Sequence, residues 1–287
     1  MNAIEAYRVK VFGARPDGGN PAVVVLNSGG WSDEVLQALA AKAAVPDTAF
    51  VLPDPGDPAK FTIRWFTPTT EVGLCGHATL AAARVLREKN KLDRVEFQSA
   101  KARLIVTQEG DVSWLELPVP TNTVFNGSRN AIAEALQIWG AETELKLPLE
   151  LTPERDVIIP LSEAGDLYAI EPEMDRLAEL GREFQVRGFC LLGRQKKEPT
   201  SNFSVRFFAP QVGIPEDPAT GSVAGPLALY ALSHGWAKPA PVVNLRLEQG
   251  DAMNIPCRLQ VEITYEGDRP VRLRVGGLTS TPTPVTL

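Results

Sequence analysis

Arg64-Trp65-Phe66-Thr67-Pro68, followed by Gly76-His77-Ala78-Thr79 and an Ala/Leu-rich run, recurs as Arg206-Phe207-Phe208-Ala209-Pro210, then Gly221-Ser222-Val223-Ala224 and a second such run. From Phe66 to Phe208 is 142 positions and from Gly76 to Gly221 is 145, each close to half of the 287 residues. A duplicated half-molecule is the simplest account. Each copy reads as a strand, a loop, and a helix whose first turn opens on a glycine and a small polar or imidazole side chain. The first amides of a helix have no partner within it, so each copy offers N–H groups to an anion. If the two helix starts face one another, they make one site between two halves.

The flanking sequence extends this pattern. Ala3 to Phe12 and Pro21 to Leu26 read as strands joined by the turn-rich loop Gly13 to Asn20. Ser32 is the expected N-cap of a helix over Asp33 to Ala44, with Val35, Leu36 and Leu39 as its apolar face. Strands are expected at Thr48 to Leu52, Phe61 to Phe66, Val95 to Phe97, Leu104 to Thr107 and Trp114 to Leu117. The helix from about His77 to Lys89 is apolar almost all round at first, so it is predicted to be buried. Pro118 to Asn126, with two prolines and no periodic pattern, reads as a linker.

Beyond the linker, helices are expected over Ala131 to Trp139, Met174 to Leu180 and Ser222 to Ser233, the last stopped by Gly235. Strands are expected at Val157 to Ile159, Phe189 to Leu192, Leu245 to Gln249, Leu259 to Tyr265 and Val271 to Val275. The expectation is an α+β chain of two halves, 1–119 and 120–275, with 276–287 as a strand able to return to the first. Each half would curl mostly antiparallel strands around one buried helix.

Composition narrows the function classes. A content of 44% hydrophobic and 22% charged residues suits a soluble protein with two cores. A net charge of −6, without any Lys/Arg run, argues against a nucleic-acid surface and for a small-molecule ligand. Cys75, Cys190 and Cys257 are odd in number and far apart, which excludes a CxxC zinc cluster and a disulfide framework and suits a reducing cytoplasm. Met1 to Val9 alternates as a strand does, unlike a secretory signal, and no run approaches the ~20 apolar residues that span a bilayer. With only His77 and His234 present, a multi-histidine metal site is not expected, and no metal or other cofactor is called for.

Four segments carry candidate chemistry. In Gly73-Leu74-Cys75-Gly76-His77-Ala78-Thr79 the helix dipole disfavours a cationic His77, leaving a neutral imidazole able to exchange a proton near pH 7. Taken alone, His77 is equally explained as a helix cap, and the twin segment shifts the balance. In Glu216-Asp217-Pro218-Ala219-Thr220-Gly221-Ser222, Pro218 pushes Asp217 toward an extended conformation. Asp217 and Thr220 could serve there only as caps. Asp47 stands at the mouth of the apolar run Phe50-Val51-Leu52, where desolvation makes a carboxylate usable as an acid or base, although most such residues simply form turns. Asn20, in Gly19-Asn20-Pro21, could hydrogen-bond a ligand.

The set Gly19-Asn20-Pro21, Asp47-Thr48-Ala49-Phe50, Phe66-Thr67-Pro68, Gly73 to Thr79 and Asp217 to Ser222 resembles, in order and over almost the whole chain, the PhzF-like phenazine-biosynthesis family. The resemblance implies a diaminopimelate epimerase-like fold: two pseudo-symmetric halves, each a strand barrel around a central helix, with the active site in the cleft. It also implies a cofactor-free isomerase that moves a proton on a small carboxylate-bearing metabolite, with Asp47, His77, Asp217 and Ser222 as catalytic residues. Asn20, Cys75, Gly76, Thr220 and Gly221 would bind substrate, and a homodimer is implied. Asp47 departs from the family's usual glutamate, shortening its reach by ~1.5 Å where ~1 Å can cost ~100-fold in rate, so the phenazine substrate is not carried over.

Rival readings are a non-catalytic metabolite- or partner-binding protein, a lyase or hydratase, and a thiol-based amino-acid epimerase. The last needs two facing thiols, and Pro218 to Ser222 contains none opposite Cys75.

Overall fold

The computed structural model describes residues 4–15, 18–138, 147–163 and 165–287, so Ala3, Pro16, Asp17 and Trp139 of the expected elements lie outside the described residues. Two compact units are present: Met1–Leu117 with Arg274–Leu287, and Pro118–Leu273.

In the first unit, β1 (Ala6–Phe12) and β2 (Gly19–Leu26) form an antiparallel pair from Ala6↔Val25 to Phe12↔Gly19. The chain returns through α1 (Asp33–Ala43) to β3 (Asp47–Pro53), which lies parallel to β2 with Ala22 opposite Asp47. β4 (Lys60–Phe66) runs antiparallel to β3 and pairs with the two-residue β5 (Glu71–Val72). The helix α2 (Gly76–Asn90) then crosses to β6 (Arg94–Gln98), parallel to β4, and an antiparallel meander follows through β7 (Arg103–Glu109) and β8 (Val112–Leu117). The C-terminal strand Thr283–Val285 pairs with β1.

Burial explains the arrangement. Every α2 residue from His77 to Leu86 is buried, and α2 packs against β1, β2, β3, β6, β7 and β8. Four alanines, Ala78, Ala81, Ala82 and Ala83, let strands approach the helix closely on several sides. The one charge in this stretch, Arg84, reaches Glu88 one turn on at 2.9 Å.

At α1, Ser32 occupies the N-cap with extended backbone, but its hydroxyl caps no amide. The expected apolar face is corrected. Leu36, Ala40 and Ala43 are buried, whereas Val35 is 45% exposed, because the helix turns its narrow stripe onto Val23, Val25, Phe50 and Phe66.

The second unit begins inside the expected linker, where β9 (Thr123–Val124) pairs with β10 (Glu150–Leu151); two residues are too few to show a period. β11 (Asp156–Pro160) is antiparallel to β10 and parallel to β12 (Gly188–Gly193). Between them, α4 (Met174–Glu183) packs with α3 (Arg129–Ala135) over a core that includes Ile132, Leu136, Ile159, Leu177, Leu180 and Phe208. Ser128 caps α3 by accepting from the Ala131 amide at 3.2 Å.

β13 (Phe203–Ala209), buried throughout, pairs antiparallel with β12 and with β14 (Ile214–Asp217), and the helix α5 (Gly221–Ser233) crosses to β15 (Val242–Gln249), parallel to β13. β16 (Cys257–Glu266) continues antiparallel to β15. Gly235, at φ +72°, ends α5 in a left-handed turn, with the Gly235 and Trp236 amides donating to the Leu232 and Ala231 carbonyls. Among the described residues, no helix is long and apolar enough to cross a membrane. The fold is thus mixed α/β, with parallel as well as antiparallel pairs.

Leu80, 1% exposed on α2, predicts a loss of about 2–5 kcal/mol on Leu80→Ala, whereas Val35→Ala stays within about 0.5 kcal/mol. Urea unfolding of both variants measures the difference.

Candidate active site

In the first unit, two elements bring three groups together. Asp47 opens β3, and Cys75 is the N-cap of α2 in extended conformation (φ −139°, ψ 104°), two residues before His77. The Cys75 carbonyl accepts from the Thr79 amide at 3.1 Å and the Thr79 hydroxyl at 2.7 Å, which locks the first turn of the helix. His77, 8% exposed, therefore has a fixed origin. Its Nδ1 lies 3.4 Å from Cys75 Sγ and its Nε2 lies 3.7 Å from Asp47 Oδ2. The second distance is longer than a hydrogen bond, and the buried Nε2 makes none. With the thiol proton on sulfur, Nδ1 accepts it and Nε2–H faces the carboxylate; the reverse tautomer turns both roles around. Asn20, fully buried near the start of β2, lies on the strand that pairs with β3, two residues before Ala22, the partner of Asp47. Gly76 is the first residue of α2.

In the second unit, Asp217 is the last residue of β14, extended before Pro218 as its neighbour demands. Thr220 is the N-cap of α5, yet its side chain caps no amide. It donates instead to Asp217 Oδ2 at 2.7 Å and accepts from Gln249 Nε2 at 3.0 Å. Gln249 also accepts from the Thr220 amide at 3.1 Å and donates to the Asp217 carbonyl at 2.7 Å, so one buried amide side chain staples the whole turn. The reading of Asp217 and Thr220 as plain helix caps does not describe this turn. Gly250 makes the close approach possible: at φ +80°, a side chain there would meet the Ile255 and Pro218 carbonyls at 2.2 and 2.8 Å.

Gly221 and Ser222 are the first residues of α5, and Ser222 Oγ accepts from Arg187 Nη2 at 2.9 Å. Since Arg187 supplies the proton of that bond, the Ser222 hydroxyl hydrogen stays available to donate elsewhere. The same guanidinium grips Asp156 with Nε to Oδ1 at 2.8 Å and Nη2 to Oδ2. Asp156 is completely buried at the start of β11, with Thr152 Oγ1 3.3 Å from its Oδ2. Burial pushes its pKa above the ordinary carboxylate value, and Arg187 and Thr152 oppose the rise.

Sequence reasoning missed Asp156, Arg187 and Gln249. The one signal for the first was an acid heading the apolar run Val157-Ile158-Ile159. Of the other thiols, Cys190 is fully buried, which drives its pKa well up and keeps it protonated, and Cys257 donates to the Ile255 carbonyl at 3.3 Å.

Replacing Arg187 with Met strands the buried Asp156 carboxylate and costs on the order of 3 kcal/mol at neutral pH. A raised folded-state pKa means that the native state binds the extra proton, so Arg187→Met should regain stability as the pH falls toward the unfolded value near 3.8. Chemical denaturation of the variant across pH checks both sign and size; a variant equally unstable at every pH contradicts this account of Asp156.

The model of a family described as phenazine biosynthesis-like protein matches residues 9–283. An uncharacterized isomerase of Deinococcus radiodurans is 35% identical over 289 residues, spanning 94% of this chain and 90% of that protein. A phenazine biosynthesis protein of the PhzF family from Bacillus anthracis superposes over 100% of both chains with a TM-score of 0.86 at 22% identity. A hydroxyproline epimerase from Agrobacterium vitis, solved with trans-4-hydroxy-L-proline bound, shares the fold with a TM-score of 0.63 at 13% identity, over 100% of this chain and 92% of its own.

Proposed function

Since the chain belongs to the phenazine biosynthesis-like family, we propose that it is a cofactor-independent isomerase that moves a proton on a small carboxylate-bearing metabolite. The observation that carries the reading is the imidazole of His77 placed between the Cys75 thiol and the Asp47 carboxylate. A base beside a second proton carrier, both mostly shielded from water, suits removal of a proton from carbon and its return elsewhere. The isomerase names carried by relatives support the reaction class, and the hydroxyproline epimerase supports small carboxylates as the substrate class.

In this reading the Asp47 carboxylate takes a proton from a carbon next to the substrate's carboxylate or carbonyl, becoming a carboxylic acid. The electron pair moves into an enolate, and the same proton returns at another carbon. His77 handles the second proton, on oxygen or nitrogen. In the first unit the opening amides of α2 are suited to stabilising charge that develops in the transition state, and in the second the Ser222 hydroxyl, held by Arg187, keeps a hydrogen to donate. Asp217, fixed by Thr220, is the second unit's acid, and Asn20, Gly76 and Gly221 contribute substrate contacts.

The reading also takes the two units as duplicated halves. Its support is their strand pairing, which in each runs antiparallel, parallel across a helix, antiparallel, antiparallel, parallel across a second helix, then antiparallel. A cytoplasmic homodimer belongs to the same proposal.

One observation favours a second reading. Cys75 Sγ stands at hydrogen-bond distance from an imidazole at a helix N-terminus, a setting that promotes thiolates, so Cys75 could be the base of an epimerase.

The test is proton exchange in D2O, followed by NMR over a panel of small carboxylates including proline, trans-4-hydroxy-L-proline and cyclic dihydro acids. A substrate should exchange one carbon-bound proton. Asp47→Asn should lower that rate by at least about 100-fold with the melting temperature retained, and Cys75→Ser should leave most of it. The opposite pattern assigns the base to the thiol, and exchange unaffected by either removes the isomerase assignment for this site.

A further inference from the structure

We propose that the outer edge of β15 receives an extended, acidic peptide segment of a partner protein as an added strand. β15 pairs with β16 along its whole length, from Val242↔Thr264 to Gln249↔Cys257. On its other side β13 covers only the C-terminal part, from Phe203↔Leu247 to Val205↔Gln249. Asn202 extends that cover by one residue: its amide donates to the Arg246 carbonyl at 2.7 Å, and its Oδ1 accepts from the Arg246 amide at 2.8 Å. Among the described residues, no strand pairs with 242–245 on this edge.

Alternation along the strand fixes which backbone groups face outward. The Tyr265 amide donates to the Pro241 carbonyl at 2.9 Å, so 241, 243 and 245 turn their polar groups toward β16 and 242, 244 and 246 turn theirs away. The two bonds from Asn202 to Arg246 agree with that phase. The amides and carbonyls of Val242 and Asn244 are thus oriented to accept another strand. Val243 and Leu245, both buried, anchor β15 while its edge stays open.

Room for a guest lies beside the edge, in a cavity of about 490 Å³ lined by 242–245, by Lys196 and Asn202 from the loop before β13, and by residues that follow α5. Phe203 and Trp236, with ring centroids 6.2 Å apart, supply its apolar part. Charge selects the guest. Lys196 and Lys238 line the cavity, and among the described residues no acidic side chain does. Lys196 donates to the Ser201 carbonyl at 2.7 Å, which holds its ammonium without cancelling the charge. The neighbouring cations are already matched: Arg194, stacked over Trp236, pairs with Glu163 at 2.7 Å, and Arg246 pairs with Glu198 at 3.1 Å.

Lysines beside an open edge deter indiscriminate pairing, and an acidic strand turns that deterrent into attraction. A second copy of this chain would bring the same lysines to the same place, so like charges oppose an edge-to-edge dimer. The surface lies wholly within the second unit and is independent of the isomerase reading.

The acetylated, amidated peptide Asp-Val-Glu-Val-Glu-Val-Asp, titrated into the 15N-labelled full-length protein, tests the edge directly. It should saturate below about 1 mM, shift the Val242 and Asn244 amide resonances most, and slow their hydrogen exchange. The same peptide with lysine at every acidic position should not bind. Asn244→Pro removes one outward amide and no bond to β16, and it should weaken binding at least about tenfold with the circular dichroism spectrum retained. Lys196→Glu combined with Lys238→Glu should weaken it at least about tenfold as well. No binding, shifts centred away from β15, equal binding of the lysine peptide, or undiminished affinity in the double lysine variant overturns the proposal. Should Asn244→Pro fail to fold, the double lysine variant decides. A concentration-dependent dimer of the protein alone, seen by sedimentation and abolished by Asn244→Pro, assigns the edge to a second copy and also overturns it.

Discussion

Everything in the first unit depends on burying a helix that has almost no polar face. Ten consecutive residues of α2, His77 to Leu86, lie out of water, and strands pack against the helix on several sides. Once such a helix is buried, its N-terminus cannot wander. The Cys75 carbonyl is claimed twice by Thr79, and His77 is carried to one place beside the mouth of β3. Packing energy thus becomes positional accuracy for the thiol, the imidazole and the carboxylate.

The second unit achieves a comparable result by different means. α5 also opens on glycine and a small hydroxyl residue, but its entry turn is held by polar side chains. Gln249 ties Thr220 and Asp217 together, and Arg187 links Ser222 to the buried Asp156. A buried ion pair adds little net stability compared with apolar packing, whereas losing one partner is costly. Its value here is orientation, since it leaves the Ser222 hydroxyl hydrogen free to be given away.

Much of this could be read from the chain, for definite reasons. The long helices announced themselves through glycine starts and unbroken apolar runs, and Gly235 marked the end of α5. Asp47, Cys75, His77 and Asp217 stood next to glycine or proline signals, so they drew attention locally. Arg187 and Asp156 did not, because 31 residues separate them and only the parallel pairing of β11 with β12 brings them together. Gln249 sits at the end of a strand that reads as ordinary. Pro215 hid β14, since a proline inside a strand argues against one, and Val35 misled because a short helix can satisfy its core with Leu36, Ala40 and Ala43 instead.

The central claim is that the His77 ring stands between the Cys75 thiol, at 3.4 Å from Nδ1, and the Asp47 carboxylate, at 3.7 Å from Nε2. The chain contains only two histidines, so the ring nitrogens of both can be followed in a 15N-labelled sample, with His234 as an internal control. The account predicts that Cys75→Ser and Asp47→Asn each shift the His77 ring-nitrogen resonances while those of His234 stay in place. His77 resonances indifferent to both substitutions would contradict it.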